Sequence, residues 1–242
     1  MNAMKKALRF FYNLIPLHLK NKIDQDLKQL KNCNILIKTY GQFKSMRECS
    51  CLDLAGKPIP WYTYPAIEYL NHLDFSQMNV FEFGSGNSTL WWAGKTKSVV
   101  SVEDDENWYN KVSSAAGFLP DKIRYILEKN KENYINAMPG NFFDIVIIDG
   151  KHRPECAKYV LNCYKNGGGV MLIFDNSDWY PKTINSIRKF LGWVQVDFHG
   201  FGPINNYTWT TTIFINQAKL SRLKYLLPLK SIAGTGINAE IE

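Results

Sequence analysis

The sequence lacks a long hydrophobic run and a metal-type spacing of cysteines. Its longest uncharged stretch near the N-terminus, residues 10–19, has ten residues and contains Pro16, whereas a membrane-spanning helix needs about 20 apolar residues. No small-residue cleavage site follows, so the sequence predicts neither a transmembrane helix nor a secretory signal. The five cysteines show no zinc-ligand spacing, which indicates reduced thiols and a cytoplasmic protein.

The central part of the sequence also lacks the net positive charge that a nucleic-acid-binding surface would need. The 242 residues carry a net charge of +7, but residues 1–31 hold seven Lys or Arg against two Asp, and residues 219–242 hold four against two Glu. Residues 32–218 hold 18 basic and 18 acidic residues, and a neutral body lacks the positive footprint of polyanion binding. We therefore expect no nucleic-acid partner and assign the positive charge to the termini.

The basic N-terminal segment is predicted to be helical. Residues 4–31 place apolar residues on one side of one or two helices broken near Pro16, with lysines among the other positions. The favoured interpretation is packing on its own domain or on a partner subunit, which would make the protein a homo-oligomer. The alternative is peripheral contact with an anionic membrane, at the inner membrane surface. Residues 33–60 follow an irregular pattern.

From residue 79 onward the sequence alternates strands and helices. Predicted strands begin near residues 79, 98, 122, 143, 170, 193 and 207. The fourth and fifth are almost continuously apolar, which indicates parallel strands buried on both faces. The link between the last two, residues 199–206, is too short for a crossover helix, so that pair is antiparallel. The prediction is an α/β, Rossmann-like, doubly wound sheet of seven strands, mostly parallel with an antiparallel last strand.

The stretch of residues 80–89 reads Val-Phe-Glu-Phe-Gly-Ser-Gly-Asn-Ser-Thr. An apolar strand stops at Gly84 and Gly86, and Ser and Thr then offer a helix start, which is where α/β folds bind nucleotide-like ligands. The next predicted strand ends in Glu103, and an acid there can accept hydrogen bonds from both ribose hydroxyls of a nucleoside. Two nearby glycines also occur in ordinary turns, so the prediction depends on the turn and the acid together.

The succession of five parallel strands with helices and then an antiparallel pair resembles class I S-adenosylmethionine-dependent methyltransferases over residues 61–216. The final antiparallel pair distinguishes this pattern from a nicotinamide-binding Rossmann domain. The resemblance implies a methyltransferase domain over residues 61–218, between a helical extension of residues 1–60 and a basic tail of residues 219–242. It implies that S-adenosylmethionine is the cofactor and that the following residues bind it: Glu82, Gly84, Gly86, Asn87, Ser88, Glu103 and Asp149.

A more specific resemblance is to metal-dependent O-methyltransferases, which carry an Asp after the fourth strand and an Asp-Asn pair after the fifth. Asp149, Asp175 and Asn176 match these positions. Neighbouring strand ends lie about 4.8 Å apart, so two carboxylates there can share one Mg²⁺ with the Asn carbonyl as a third ligand. The resemblance therefore implies Mg²⁺ as a helper. The alternative is that Asp149 caps the next helix and Asp175 orders a turn.

Methyl transfer to a hydroxyl group calls for a base near the acceptor. Lys151 and His152 follow the fourth strand, and His152 is favoured because histidine titrates near neutrality. Arg153, in the same loop, is interpreted as the partner of an acid. Polar and aromatic residues near the end of the sixth strand, among them Asn205 and Tyr207, suit a small acceptor with several hydroxyls, such as a sugar or glycan precursor.

Two other functions compete with this hypothesis. A nicotinamide-dependent oxidoreductase is disfavoured because Thr89 replaces the third glycine of the dinucleotide fingerprint and because the Tyr-x-x-x-Lys pattern of short-chain dehydrogenases is missing. A non-catalytic module would bind a membrane or a partner through the basic termini alone. Methylation of nucleic acids is disfavoured because Asp149 is followed by Gly-Lys-His, unlike the Asn/Asp-Pro-Pro-Tyr/Phe motif that amino methyltransferases of nucleic acids carry.

Overall fold

The computed structural model describes residues 12, 15–116, 121–140, 142–226 and 230–234. The remaining parts of the predicted N-terminal helix and the last eight residues lie outside the described residues. In the described ranges, no helix is long and apolar enough to cross a bilayer.

The described part of the chain forms nine strands. They are β1 (Leu73–Asp74), β2 (Asn79–Phe83), β3 (Ser98–Glu103), β4 (Ile123–Leu127), β5 (Ile145–Ile148), β6 (Met171–Asp175), β7 (Val194–Gly200), β8 (Trp209–Ile215) and β9 (Lys224–Tyr225). Strands β2 to β8 form one sheet in the order β4-β3-β2-β5-β6-β8-β7. In that sheet β8 runs opposite to the other six strands, which are parallel to one another. The predicted fold class is therefore confirmed.

Eight α-helices are found in the described ranges. They are α1 (Leu17–Asn34), α2 (Gln42–Glu48), α3 (Tyr64–Asn71), α4 (Asn87–Lys95), α5 (Glu106–Ala116), α6 (Lys131–Ile135), α7 (Arg153–Cys163) and α8 (Pro181–Leu191). A π-helix over Ile35–Thr39 continues α1. The prediction of an irregular segment over residues 33–60 is wrong for the π-helix and for α2, because short helices carry little periodic signal.

Burial on both faces explains why the central strands are apolar. All four residues of β5 and all five of β6 are buried. On one face Ile145, Ile147 and Ile173 pack in a cluster with residues of α3 and α4, and on the other Val146 and Ile148 pack in a cluster with residues of α7 and α8. This three-layer arrangement is the one expected for parallel strands covered by helices.

Helix α1 is the exception to this compact packing. None of its residues is buried, and Leu17 and Leu30 are 74% and 64% exposed. The expectation that this helix packs on its own domain is therefore wrong for residues 17–34. Contact with a partner subunit or with a membrane surface stays a prediction.

The C-terminal segment lies against the domain over residues 219–225, although the sequence predicts a tail from residue 219. Arg222 forms an ion pair with Asp144, Leu223 is buried, and β9 pairs with β1. These contacts tie the basic segment to the amino edge of the sheet, because Asp144 directly precedes β5.

The sheet order places a switch point between β2 and β5. From β2 the chain moves outward through β3 to β4, and it then returns to β5 on the other side of β2. Parallel strands all end at the same edge, and at a switch point the loops that follow two neighbouring strands diverge and leave a crevice. The turn after β2 and the loop after β5 meet at this crevice.

Candidate active site

A cavity of about 510 Å³ opens at the switch point. Gly86 and Asn87 line it from the turn after β2, Asp149 from the end of β5, and Asp175 from the end of β6. Segments from residues 49–51 and 204–207 complete its walls. The cavity volume lies in the range of small-molecule sites, about 300–1,000 Å³.

The two predicted glycines have different roles in the turn. Gly84 has a positive φ of 90°, and a Cβ there would lie 2.6 Å from Gly150 Cα, so Gly84 lets the loops after β2 and β5 touch. Gly86 lines the cavity, and a Cβ there would have Trp108 as its nearest neighbour at 3.6 Å. Gly86 is thus the position at which a side chain would enter the space for a ligand.

Glu82 lies behind the turn and does not line the cavity. Its side chain is fully buried, and its two carboxylate oxygens each accept a hydroxyl hydrogen bond of 2.5 Å, from Ser88 Oγ and Thr89 Oγ1. Burial raises the pKa of Glu82 to about 7 although these hydrogen bonds lower it. Glu82 therefore holds the start of α4 in place from below, and its contact with a cofactor stays a prediction.

The N-terminus of α4 faces the cavity, with Asn87 and Ser88 in its lining. The Asn87 amide donates hydrogen bonds to Ser50 Oγ at 3.0 Å and to the Cys51 carbonyl at 2.6 Å. These bonds hold the segment before α3 across the helix start. The first N–H groups of a helix have no partners within the helix and carry partial positive charge, so this end can bind an anionic group.

Glu103 is separated from the cavity by Ser85. The Ser85 hydroxyl donates to Glu103 Oε2 at 2.6 Å and also hydrogen-bonds the Tyr125 hydroxyl, while Ser85 itself lines the cavity. The backbone N–H groups of Asp104 and Asp105 donate to Glu103 Oε1, and burial raises the pKa of Glu103. The Ser85 hydroxyl thus occupies a position on this carboxylate that a ribose hydroxyl could take.

The three predicted metal ligands do come together at the cavity. Asp149, Asp175 and Asn176 all line it, but the Arg153 guanidinium lies between them. Arg153 Nη2 donates to Asp149 Oδ1 at 3.1 Å and Nη1 donates to Asn176 Oδ1 at 2.8 Å. The interpretation of Arg153 as the partner of an acid agrees with this geometry. Asp149 does not cap α7, whose N-cap is His152.

The Asp175 carboxylate is held by the antiparallel strand beside it. Its Oδ1 accepts from Thr211 Oγ1 at 2.6 Å and from Trp209 Nε1 at 3.1 Å. Burial and the charge of Asp149 raise the pKa of Asp175. Burial also raises the pKa of Asp149, and Arg153 opposes that rise. Two acids at one cavity, both harder to ionise than usual, are typical of a functional site.

This donor arrangement does not fit the predicted magnesium site. Mg²⁺ binds oxygens at about 2.1 Å in octahedral geometry. Here the Arg153 guanidinium donates hydrogen bonds to Asp149 Oδ1 and Asn176 Oδ1 and fills the space between the two side chains. Among the described residues, no group of three or more His, Cys, Asp or Glu side chains is placed to hold a metal ion. We therefore assign no step of a reaction at this site to a metal ion.

The two predicted bases, Lys151 and His152, do not line the cavity. Lys151 Nζ forms a 2.7 Å ion pair with Asp104, and the Lys151 side chain is 63% exposed. His152 has a positive φ of 55° and begins α7, with its ring near Tyr134. The loop after β5 turns both side chains away from the cavity, whereas the next residue, Arg153, lines it.

Aromatic side chains line the outer part of the cavity. Trp61, Trp179 and Tyr207 are 43%, 56% and 48% exposed, and Asn205 Oδ1 accepts a hydrogen bond of 2.9 Å from Trp61 Nε1. The sequence indicated Asn205 and Tyr207 because they lie near the end of a predicted strand. It carried no comparable signal for Trp179, which follows β6 in a short 3-10 turn.

Comparisons with known proteins match this chain to solved structures of methyltransferases. No protein-family model and no curated protein matches the sequence. The O-methyltransferase TomG from Streptomyces achromogenes, solved with SAM, is 13% identical, with 62% of this chain and 77% of that chain covered and a TM-score of 0.47. A methyltransferase-like protein from Silicibacter pomeroyi is 18% identical, with 69% and 95% covered and a TM-score of 0.45. TYW2 from M. jannaschii, solved with AdoMet, is 13% identical, with 73% and 83% covered and a TM-score of 0.45.

Proposed function

We propose that the protein is an S-adenosylmethionine-dependent methyltransferase that methylates a hydroxyl oxygen of a small acceptor, a sugar or glycan precursor. The observation that carries this proposal is the cavity at the switch point. On one side it has the glycine turn and the N-terminus of α4, and on the other it has the acids that end β5 and β6. A ligand with both an anionic group and a nucleoside suits the first side, and an acceptor suits the second.

The residues around the turn fit the amino-acid part of the cofactor. The N-terminus of α4 can bind its carboxylate, and Gly86 leaves room for the chain beside it. Asp149 lines the cavity beside the turn, next to the place of this part of the cofactor. Glu103 can bind the ribose once the Ser85 hydroxyl turns aside. S-adenosylmethionine, when bound, supplies a sulfonium methyl group for in-line attack by the acceptor oxygen.

The protein's contribution to the reaction is to position the acceptor hydroxyl and to take its proton. Lys151 and His152 lie outside the cavity, whereas Asp149 lines it beside the turn. We therefore propose the Asp149 carboxylate as the proton acceptor in place of His152. Asp149 would accept the proton of the hydroxyl on a carboxylate oxygen, while the methyl group would pass from the sulfonium sulfur to the acceptor oxygen and S-adenosylhomocysteine would leave.

The aromatic walls support a sugar as acceptor. A sugar ring has an apolar C–H face and a rim of hydroxyls, so it can lie against an exposed aromatic face and hydrogen-bond at its edge. Trp61, Trp179 and Tyr207 offer such faces, and Asn205 and Asn176 offer amide groups in the same cavity. Pockets that combine apolar walls with a few polar groups select ligands of this mixed character.

A labelling experiment tests the proposal. The full chain is incubated with S-adenosylmethionine carrying a radiolabelled methyl group and with fractions of sugar nucleotides, glycan precursors, protein and nucleic acid. We expect label in a sugar fraction and release of the methyl group from the product by ether-cleaving acid. Label found only in protein or nucleic acid would contradict the acceptor class, and tight binding of NAD with no label transfer would contradict the enzyme class.

Substitution of Trp179 by Ala should weaken acceptor binding selectively. Trp179 lines the cavity and is 56% exposed, so its loss removes a contact surface with little effect on folding. We expect the KM for the acceptor to rise about tenfold or more, which corresponds to about 1.4 kcal/mol, with unchanged affinity for S-adenosylhomocysteine. Phe190→Ala is the matched control, because Phe190 is 47% exposed on α8 and does not line the cavity. An equal KM change in both variants would contradict the assigned role.

A further inference from the structure

The Arg153 guanidinium is saturated by the protein. A guanidinium carries five N–H donors, and each of them has a partner here. The Nε–H donates to the Gly150 carbonyl at 2.9 Å, Nη1 donates to the Asp175 carbonyl at 2.5 Å and to Asn176 Oδ1 at 2.8 Å, and Nη2 donates to the Asp149 carbonyl at 2.9 Å and to Asp149 Oδ1 at 3.1 Å. Three of these acceptors are backbone carbonyls at the ends of β5 and β6.

The residues around the guanidinium also fix its position, in addition to accepting its hydrogen bonds. The Arg153 side chain is 13% exposed, and the Tyr180 ring lies 5.9 Å below the guanidinium carbon. Arg153 is also the first residue of α7, so its backbone is set by a helix that packs on the sheet. A cation held in this way is part of the wall of the cavity and bridges the loops after β5 and β6.

We propose that Arg153 is the resident cation of this active site, taking the place between Asp149 and Asn176 that Mg²⁺ would otherwise occupy. Its role is to position the Asp149 carboxylate and the Asn176 amide at the cavity wall. The inference rests on the proposed function only in its consequence, which is that methyl transfer by this protein needs no divalent metal.

Mg²⁺ and the Arg153 guanidinium cannot occupy the site at the same time. A Mg²⁺ ion between Asp149 and Asn176 would need the space that the Arg153 guanidinium fills, since Asp149 Oδ1 and Asn176 Oδ1 each accept from it, and the two cations would repel each other at such a distance. A guanidinium displaced by the ion would lose its five partners, and three backbone carbonyls would lose their donor. Removal of the guanidinium should instead leave Asp149 Oδ1 and Asn176 Oδ1 available to an ion, beside the Asp175 carboxylate.

Binding of Mn²⁺ tests this inference without an acceptor. Mn²⁺ prefers the same oxygen ligands as Mg²⁺, and the loss of the free-ion signal in electron paramagnetic resonance measures its binding to the full chain. We expect no stoichiometric binding by the wild type or by Arg188→Met, a control at an exposed arginine of α8. We expect Arg153→Met to bind one Mn²⁺ at least about tenfold more tightly than the wild type.

Each outcome bears on the inference. Stoichiometric Mn²⁺ binding by the wild type that Asp149→Asn abolishes would overturn it, and this arm does not depend on the folding of any Arg153 variant. Absence of binding by a folded Arg153→Met, with folding shown by its thermal transition, would also overturn it. Arg153→Lys keeps one positive charge and should exclude Mn²⁺ as the wild type does. Wild-type affinity for S-adenosylhomocysteine, measured in parallel, reports separately on the proposed function.

Discussion

Three acids at the carboxyl edge of the sheet, two of them buried and one half-buried, carry the electrostatic cost of the site. Glu82 is fully buried under the turn, and Asp149 and Asp175 end neighbouring strands. Burial raises the pKa of each, and hydroxyl donors or the Arg153 guanidinium offset part of that effect. Native proteins keep such destabilising groups mainly at functional sites, so the cluster marks this edge of the sheet as the working one.

Substitution of Glu82 by Gln should change how stability depends on pH. The pKa of Glu82 is raised from 4.5 to about 7 in the folded protein, so the folded state binds the proton more tightly than the unfolded state does. The free energy of unfolding contributed by this residue is then highest below pH 4.5 and falls, by on the order of 3 kcal/mol, as the pH rises through 7.

Thermal unfolding between pH 5 and 8 measures this effect. We expect the decline of Tm with rising pH to be shallower in Glu82→Gln than in the wild type. The matched control is Glu106→Gln, an exposed carboxylate on α5 that pairs with Lys129, and it should follow the wild-type slope. Parallel pH profiles for all three proteins would show that Glu82 is ionised in the folded state at pH 5.

The sequence predicted which residue types gather at the site but not which of them face the ligand. Asp149, Asp175 and Asn176 were predictable because parallel strands end at one edge. The place of Arg153 among them was not, because it depends on how the loop after β5 turns at His152, the residue with positive φ. In the same way, strand alternation placed Glu103 correctly, but only side-chain packing shows that Ser85 covers it.

At the scale of elements, long apolar strands and helices with clear ends were predictable. Helix α8 has both kinds of end signal in the sequence: Pro181 begins it, and Gly192, with φ 59°, follows its last residue, Leu191. The pairing of β1 with β9 had no sequence signal, since strands of two residues show no alternation. The pair forms only because the C-terminal segment is held against the domain by Arg222 and Leu223.

Substitutions in helix α1 should affect the free energy of unfolding much less than substitutions in the helices that cover the sheet. The double substitution Leu27→Ser and Leu30→Ser should change the free energy of unfolding by less than about 0.5 kcal/mol, because both side chains are exposed. Leu70→Ala in α3, at a fully buried position, should cost about 2–5 kcal/mol. Chemical denaturation followed by circular dichroism measures both. A large loss in the α1 variant would mean that this helix packs on the domain after all.

At the scale of the whole molecule, the charge and the site are separated. Residues 32–218 contain equal numbers of acidic and basic residues, and the excess positive charge lies toward the termini. The cavity faces the carboxyl edge of the sheet, whereas the C-terminal segment is held at the opposite edge through Asp144. Such a layout leaves the cavity to a small ligand and the termini to other contacts.

The central claim is that the turn after β2 binds S-adenosylmethionine. Titration calorimetry with S-adenosylhomocysteine on the wild type, Gly86→Val and Gly94→Val tests it most directly. Both glycines have room for a Cβ, but only Gly86 faces the cavity, whereas Gly94 has nothing within 4 Å on the outside of α4. The account predicts affinity about 100-fold weaker for Gly86→Val, or about 2.7 kcal/mol, and an unchanged affinity for Gly94→Val. Equal binding by all three proteins, or binding of NAD alone, would contradict it.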